Sequence, residues 1–103
     1  MWSSIKNLFG GGTPAPSFKE LMQAGAVIVD VRTPAEYKGG HIKGSINIPV
    51  DKLASSLSKL PKNKTIITCC ASGMRSASAK GILKNNGFEA HNGGSWMSLK
   101  NKI

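Results

Sequence analysis

The residues best suited to chemistry are Cys70-Ala71-Ser72-Gly73-Met74-Arg75-Ser76. They join an apolar run, Thr65-Ile66-Ile67-Thr68-Cys69, to a helix-like run that begins at Ser76 and reaches Asn85. Ala71, Ser72 and Gly73 are small enough for the backbone to curl tightly, so successive N–H groups can point into the turn. The helix behind the turn adds its positive N-terminal end, and Arg75 adds a cation. A cysteine sulfur at that focus is expected to be a thiolate, because helix N-termini and nearby cations lower a thiol pKa. The chemistry on offer is nucleophilic attack by Cys70 inside an anion cradle.

Such a turn works only if strands and helices hold it, and the flanking sequence supplies them. Ala26 to Val31 is a short apolar run rich in β-branched residues, the pattern of a strand buried on both faces of a parallel sheet. Further strand candidates are Ser45 to Ile48, Thr65 to Cys69, and Phe88 to His91. Between them lie helix signals. Ser17 with Glu20, and Thr33 with Glu36 behind Pro34, are capping boxes. Asp51 is expected to cap a helix with Leu53, Leu57 and Leu60 on one face, ended by Pro61. A terminal helix is expected around Trp96 to Leu99. Strands alternating with helices imply an α/β fold of three layers, a central parallel sheet of four to five strands with helices on both faces. Ligands of such sheets bind at the carboxyl ends of the strands, where Cys70 and the residues after Asp30 fall.

A chain of 103 residues suits one domain. Residues 17–103 are expected to form it. Residues 1–16 are expected to be an appendage, with Trp2, Ile5 and Phe9 at helical spacing ahead of a Gly/Pro linker, Gly10 to Pro16. No stretch approaches the roughly twenty apolar residues of a membrane span. Lys+Arg 14 against Asp+Glu 5 gives a net charge of +9, which attracts anions. The 12 lysines spread from Lys6 to Lys102 without a basic block, and the arginines, Arg32 and Arg75, sit beside strand ends. That distribution favours steering of a small anionic substrate over nucleic-acid binding.

Cys69 and Cys70 are neighbours, so they cannot tie distant segments. Their Cα atoms stand about 3.8 Å apart, closer than a disulfide ordinarily takes. Free thiols suit a reducing compartment, and Met1 to Phe9 lacks the features of a secretory signal, so a cytoplasmic location is expected. Cys69 should pack inward as a strand residue, and Trp96 should be a core aromatic. Neither His41 nor His91 has a cysteine at metal-ligand spacing, so no zinc is expected; the N–H groups of the Cys70 turn can stabilise an anion by themselves, so no cofactor is expected.

Several segments together resemble the rhodanese family in its single-domain form. They are Asp30-Val31-Arg32 with Glu36-Tyr37, the run Gly40-His41-Ile42-Lys43-Gly44-Ser45-Ile46-Asn47-Ile48-Pro49, the loop Cys70 to Ser76, and Gly93-Gly94-Ser95-Trp96. They occur in the family's order from about Ser17 to the chain end. The resemblance implies a sulfurtransferase that moves sulfane sulfur from thiosulfate or polysulfide to cyanide, a small thiol or a protein thiol, through a persulfide on Cys70; a monomer is expected. Ala71, Ser72, Gly73, Met74, Arg75 and Ser76 would bind the anionic donor, while Asp30 and Arg32 would brace the loops. An alternative of another class is a sulfur carrier serving a protein partner. Phosphatases and arsenate reductases of related fold form a third reading. Their loop resembles a cysteine, five residues and an arginine, whereas four residues separate Cys70 from Arg75. The shorter cradle suits a single sulfur atom.

Overall fold

The computed structural model describes residues 15–103. The expected N-terminal appendage lies outside these residues except for Ala15 and Pro16. Ser17 Oγ accepts the Glu20 N–H and Glu20 Oε1 accepts the Ser17 N–H, and this capping box starts α1 (Phe18–Gln23). Strand β1 (Val27–Asp30) is followed by α2 (Pro34–Lys38), opened by the Thr33/Glu36 box. Then come β2 (Ile46–Asn47), α3 (Val50–Leu53), a 3-10 turn (Leu57–Lys59), β3 (Ile66–Cys70), α4 (Met74–Asn85), β4 (Ala90–Ser95) and α5 (Trp96–Lys100).

The strands form one sheet of four in the order β2-β1-β3-β4, and every pairing is parallel. Val29 faces Thr68 and Asp30 faces Cys69 in register, which brings the ends of β1 and β3 to one edge. Because successive strand residues point to opposite faces, the sheet carries two cores. On one side Val29, Val31, Ile66, Cys70 and Ala90 meet Leu53 of α3, Leu60, and Ala79 and Leu83 of α4. On the other Ile28, Ile67 and Cys69 meet Leu21 of α1, Ile42 and Leu99 of α5. Ile66, Ile67, Leu53 and Leu83 are fully buried, and each such side chain contributes about 1.5–3 kcal/mol relative to exposure. The expected three-layer α/β architecture is present, with four strands among the described residues.

The element boundaries differ from expectation in several places, and β2 is shortened to Ile46–Asn47. The amphipathic run after Asp51 is not one helix: α3 ends at Leu53 and a 3-10 turn resumes at Leu57. Ser55 and Ser56 intervene, and serine hydroxyls compete for backbone bonds, as Ser55 Oγ does by donating to the Lys52 carbonyl at 3.0 Å. Pro49 occupies the cap position of α3, and Asp51 lies inside its first turn without capping it.

Helix α4 begins at Met74, two residues before Ser76, because Gly73 reverses the chain at φ +104°. Strand β4 begins later and runs on through Gly93 and Gly94 to Ser95. A Cβ at Gly93 would stand 2.8 Å from the Thr68 carbonyl oxygen and 2.8 Å from Leu99 Cδ2, so only glycine lets β4 lie that close to β3.

Candidate active site

Cys70 ends β3 with no exposed surface, directly below the turn that starts α4. Its sulfur accepts the Gly73 N–H at 2.9 Å and the Ser76 N–H at 3.4 Å, and Ser76 Oγ lies 3.5 Å away. Burial alone would push the thiol up. The Ser76 hydroxyl and the N–H groups of Ser76, Gly73 and Ser72 outweigh it and hold Cys70 below the ordinary cysteine value. This is the curl expected from the small residues. Ala71, Ser72 and Met74 stand at the exposed rim, Met74 with 80% of its surface open, while Ser76 is buried beneath the loop. Ser76 Oγ reaches Asn92 Oδ1 at 2.6 Å, and its carbonyl accepts the Thr68 hydroxyl at 2.8 Å.

Arg75 does not stand free. Its Nη1 and Nη2 meet Glu36 Oε1 and Oε2 at 2.8 and 3.0 Å. Glu36 Oε1 also accepts the Thr33 N–H at 3.0 Å. The Arg75 guanidinium and the Thr33 cap hold the Glu36 carboxyl down at about 2. One carboxylate therefore caps α2 and pins the first turn of α4, joining the segments after β1 and β3.

Asp30 and Arg32 form a buried pair. Arg32 Nη2 and Nε donate to Asp30 Oδ2 at 2.7 and 3.0 Å, and Nη2 also reaches the Gly40 carbonyl at 2.7 Å. The Arg32 guanidinium lies 4.8 Å from the ring of Trp96, which is half-buried and not a fully enclosed core residue. Asn47 Nδ2 donates to the Asp30 and Arg32 carbonyls at 2.9 and 3.0 Å. These bonds fix the loop after β1.

Other candidates lie elsewhere. Cys69 points into the opposite core, where burial first and the Asp30 charge second push its thiol up to about 12. His41 stacks on Tyr37 at 3.7 Å, with Nδ1 2.8 Å from the Tyr37 carbonyl. His91 pairs with Glu89 at 3.3 Å. Among the described residues no three His, Cys, Asp or Glu side chains gather to hold a metal ion, and no helix is long and apolar enough to cross a membrane.

Two site residues escaped the sequence reading. Glu36 was legible as a capping partner and as part of the family resemblance but not as the partner of Arg75, and Asn92 not at all, since each reaches α4 from a separate segment. No spacing rule connects such positions.

The family profile of the rhodanese-like domain matches residues 14–99. A thiosulfate sulfurtransferase of Stutzerimonas stutzeri is 35% identical over 75 residues, covering 73% of this chain and 69% of that protein. A sulfurtransferase of Allochromatium vinosum is 34% identical over 62 residues, covering 60% of this chain and 58% of its own length. The solved human single-domain sulfurtransferase TSTD1 superposes with a TM-score of 0.73 at 26% identity, over 87% of this chain and 99% of that one. The chain spans about half the length of two curated relatives, 49% and 58%, and only 15–24% of four others.

Proposed function

Because the chain belongs to the rhodanese-like domain family, we propose that it is a sulfurtransferase that carries sulfane sulfur as a persulfide on Cys70. The observation that carries this reading is the Cys70 sulfur itself, buried at a strand end and accepting the Gly73 and Ser76 N–H groups. The Cys70 thiolate attacks the outer sulfur of thiosulfate. A new S–S bond forms, the bond to the inner sulfur breaks, and its electron pair leaves with sulfite. A polysulfide donor reacts likewise and departs one sulfur shorter. The persulfide anion then lies among the loop N–H groups, whose fixed dipoles stabilise its charge. A thiolate or cyanide acceptor attacks the terminal sulfur and releases Cys70 as thiolate, a ping-pong cycle.

The engagement of Arg75 Nη1 and Nη2 with Glu36 weighs against phosphoryl chemistry, which asks an arginine to clamp the transferring group. Arg75 serves this reading by shaping the loop and lending it positive charge. The exposed Met74 at the rim favours a second reading of the acceptor, a protein thiol docking over the loop, with the chain acting as a sulfur carrier.

The test is intact mass after mixing with thiosulfate or polysulfide, repeated on Cys70→Ser and Cys69→Ser. The expected result is a gain of one sulfur atom that disappears in Cys70→Ser and persists in Cys69→Ser. An adduct that follows Cys69, or none on the native chain, would overturn the assignment. Comparing transfer to cyanide with transfer to protein thiols separates enzyme from carrier.

A further inference from the structure

Ser76 has one hydroxyl proton and three acceptors around it. Asn92 Oδ1 is at 2.6 Å, the Gly73 carbonyl at 3.0 Å and the Cys70 sulfur at 3.5 Å. The shortest contact is to Asn92, so the Ser76 proton points away from the sulfur and Ser76 Oγ turns a lone pair toward it. That arrangement suits the thiol, whose S–H donates to Ser76 Oγ; the thiolate gains the Ser76 hydroxyl only once its proton turns from Asn92. The amide of Asn92 cannot simply flip to avoid the competition. The Gly94 N–H donates to its Oδ1 at 2.9 Å, and its Nδ2 donates to the Gly73 carbonyl at 3.3 Å.

We infer that Asn92 is a positioning residue that competes with Cys70 for the Ser76 proton and thereby sets how readily Cys70 becomes a thiolate. Ionisation then has a defined course. The thiol proton leaves to solvent, the Ser76 O–H turns from Asn92 Oδ1 to the sulfur, and Asn92 Oδ1 keeps the Gly94 N–H. No group is orphaned, and the cost of the exchange is the one Ser76–Asn92 hydrogen bond given up. The sulfur is less stabilised than the loop would permit without Asn92. It is correspondingly more nucleophilic, because thiolate reactivity falls as thiol pKa falls.

The titratable groups on the elements around Cys70 leave this device unobstructed. Arg75 on α4 is held by Glu36, Asp30 on β1 is held by Arg32, and Cys69 faces the opposite core. On β4, Asn92 and Ser95 stand at the level of the site, and His91 is paired with Glu89.

The inference rests on Cys70 as the reacting thiol, but its test needs no sulfur transfer. The rate of alkylation by iodoacetamide is followed against pH, with the label located by fragment mass spectrometry, in the native chain and in Asn92→Ala, Ser76→Ala and the double variant. In Asn92→Ala the midpoint falls by about one pH unit, the worth of one hydrogen bond to a charged atom. The limiting rate at high pH falls about threefold, as the lower pKa requires. In the Ser76→Ala background Asn92→Ala shifts nothing. An unchanged or raised midpoint in Asn92→Ala, or an equal shift without Ser76, overturns the inference. Should Asn92→Ala fail to fold by circular dichroism, Asn92→Asp decides. It keeps the acceptor for Gly94 and Ser76, and it must raise the midpoint more with Ser76 present than without it. Equal rises overturn the inference. A chain that takes no sulfur from thiosulfate still returns a clear answer here.

Discussion

Glu36 and Arg75, 39 residues apart in sequence, meet through two parallel N–H···O contacts of 2.8 and 3.0 Å. The pair ties the helix after β1 to the turn that holds Cys70. Glu36 Oε1 also accepts the Thr33 N–H, so one carboxylate serves both the site and the cap of α2.

Glu36→Gln should leave the fold intact, because glutamine can still complete a capping box. It loses the charge that holds Arg75, and sulfur loading from thiosulfate should slow several-fold, measured by rapid-quench mass analysis. A loading rate equal to that of the native chain would detach the ion pair from function. The acid behaviour follows from the lowered carboxyl. Its stabilisation is complete above the ordinary value of 4.5 and is lost as pH falls toward about 2. The native chain should therefore lose more stability than Glu36→Gln across that window in pH-dependent urea denaturation.

Cys70 should react first with alkylating agents. Its thiol is held below the ordinary value of 9.0, whereas Cys69 is pushed up to about 12. As pH rises, the Cys70 thiolate fills before that of an ordinary thiol, while Cys69 stays protonated. Mass mapping after brief iodoacetamide treatment at neutral pH should find one label, on Cys70. Labelling of Cys69 at a comparable rate would contradict the two-faced placement of these neighbours.

Asp30→Ala removes the carboxylate from a buried pair and leaves Arg32 with 4% of its surface exposed and no counter-charge. The expected loss is about 3–5 kcal/mol in urea unfolding, the usual penalty for stranding one member of a buried ion pair. A loss under about 1 kcal/mol would mean that Gly40 and Trp96 suffice to hold the guanidinium.

Two glycines give opposite expectations. Gly93→Ala places a Cβ 2.8 Å from the Thr68 carbonyl and should cost about 1–3 kcal/mol by forcing β4 away from β3. Gly81 lies inside α4 with nothing within 4 Å of an added Cβ, so Gly81→Ala should stabilise by about 0.5–1 kcal/mol. A Gly93→Ala thermal midpoint that held or rose would contradict this account of β4, and a Gly81→Ala midpoint that fell would contradict the open position in α4.

What the amino-acid sequence determined by itself was the local part. The capping residues at Ser17 and Thr33, the β-branched runs of β1 and β3, and the small residues around Gly73 each act within a few positions. They name the elements, the α/β class and the cysteine-bearing turn, because hydrogen bonds and backbone preferences of that range are written in consecutive residues. The tertiary structure decided the rest. It turned Cys69 and Cys70 to opposite cores, committed Arg75 to Glu36, brought Asn92 against Ser76, and carried β4 past Gly93. Those outcomes depend on which strands lie side by side, and on charges and hydroxyls that find partners only after the chain has folded between them.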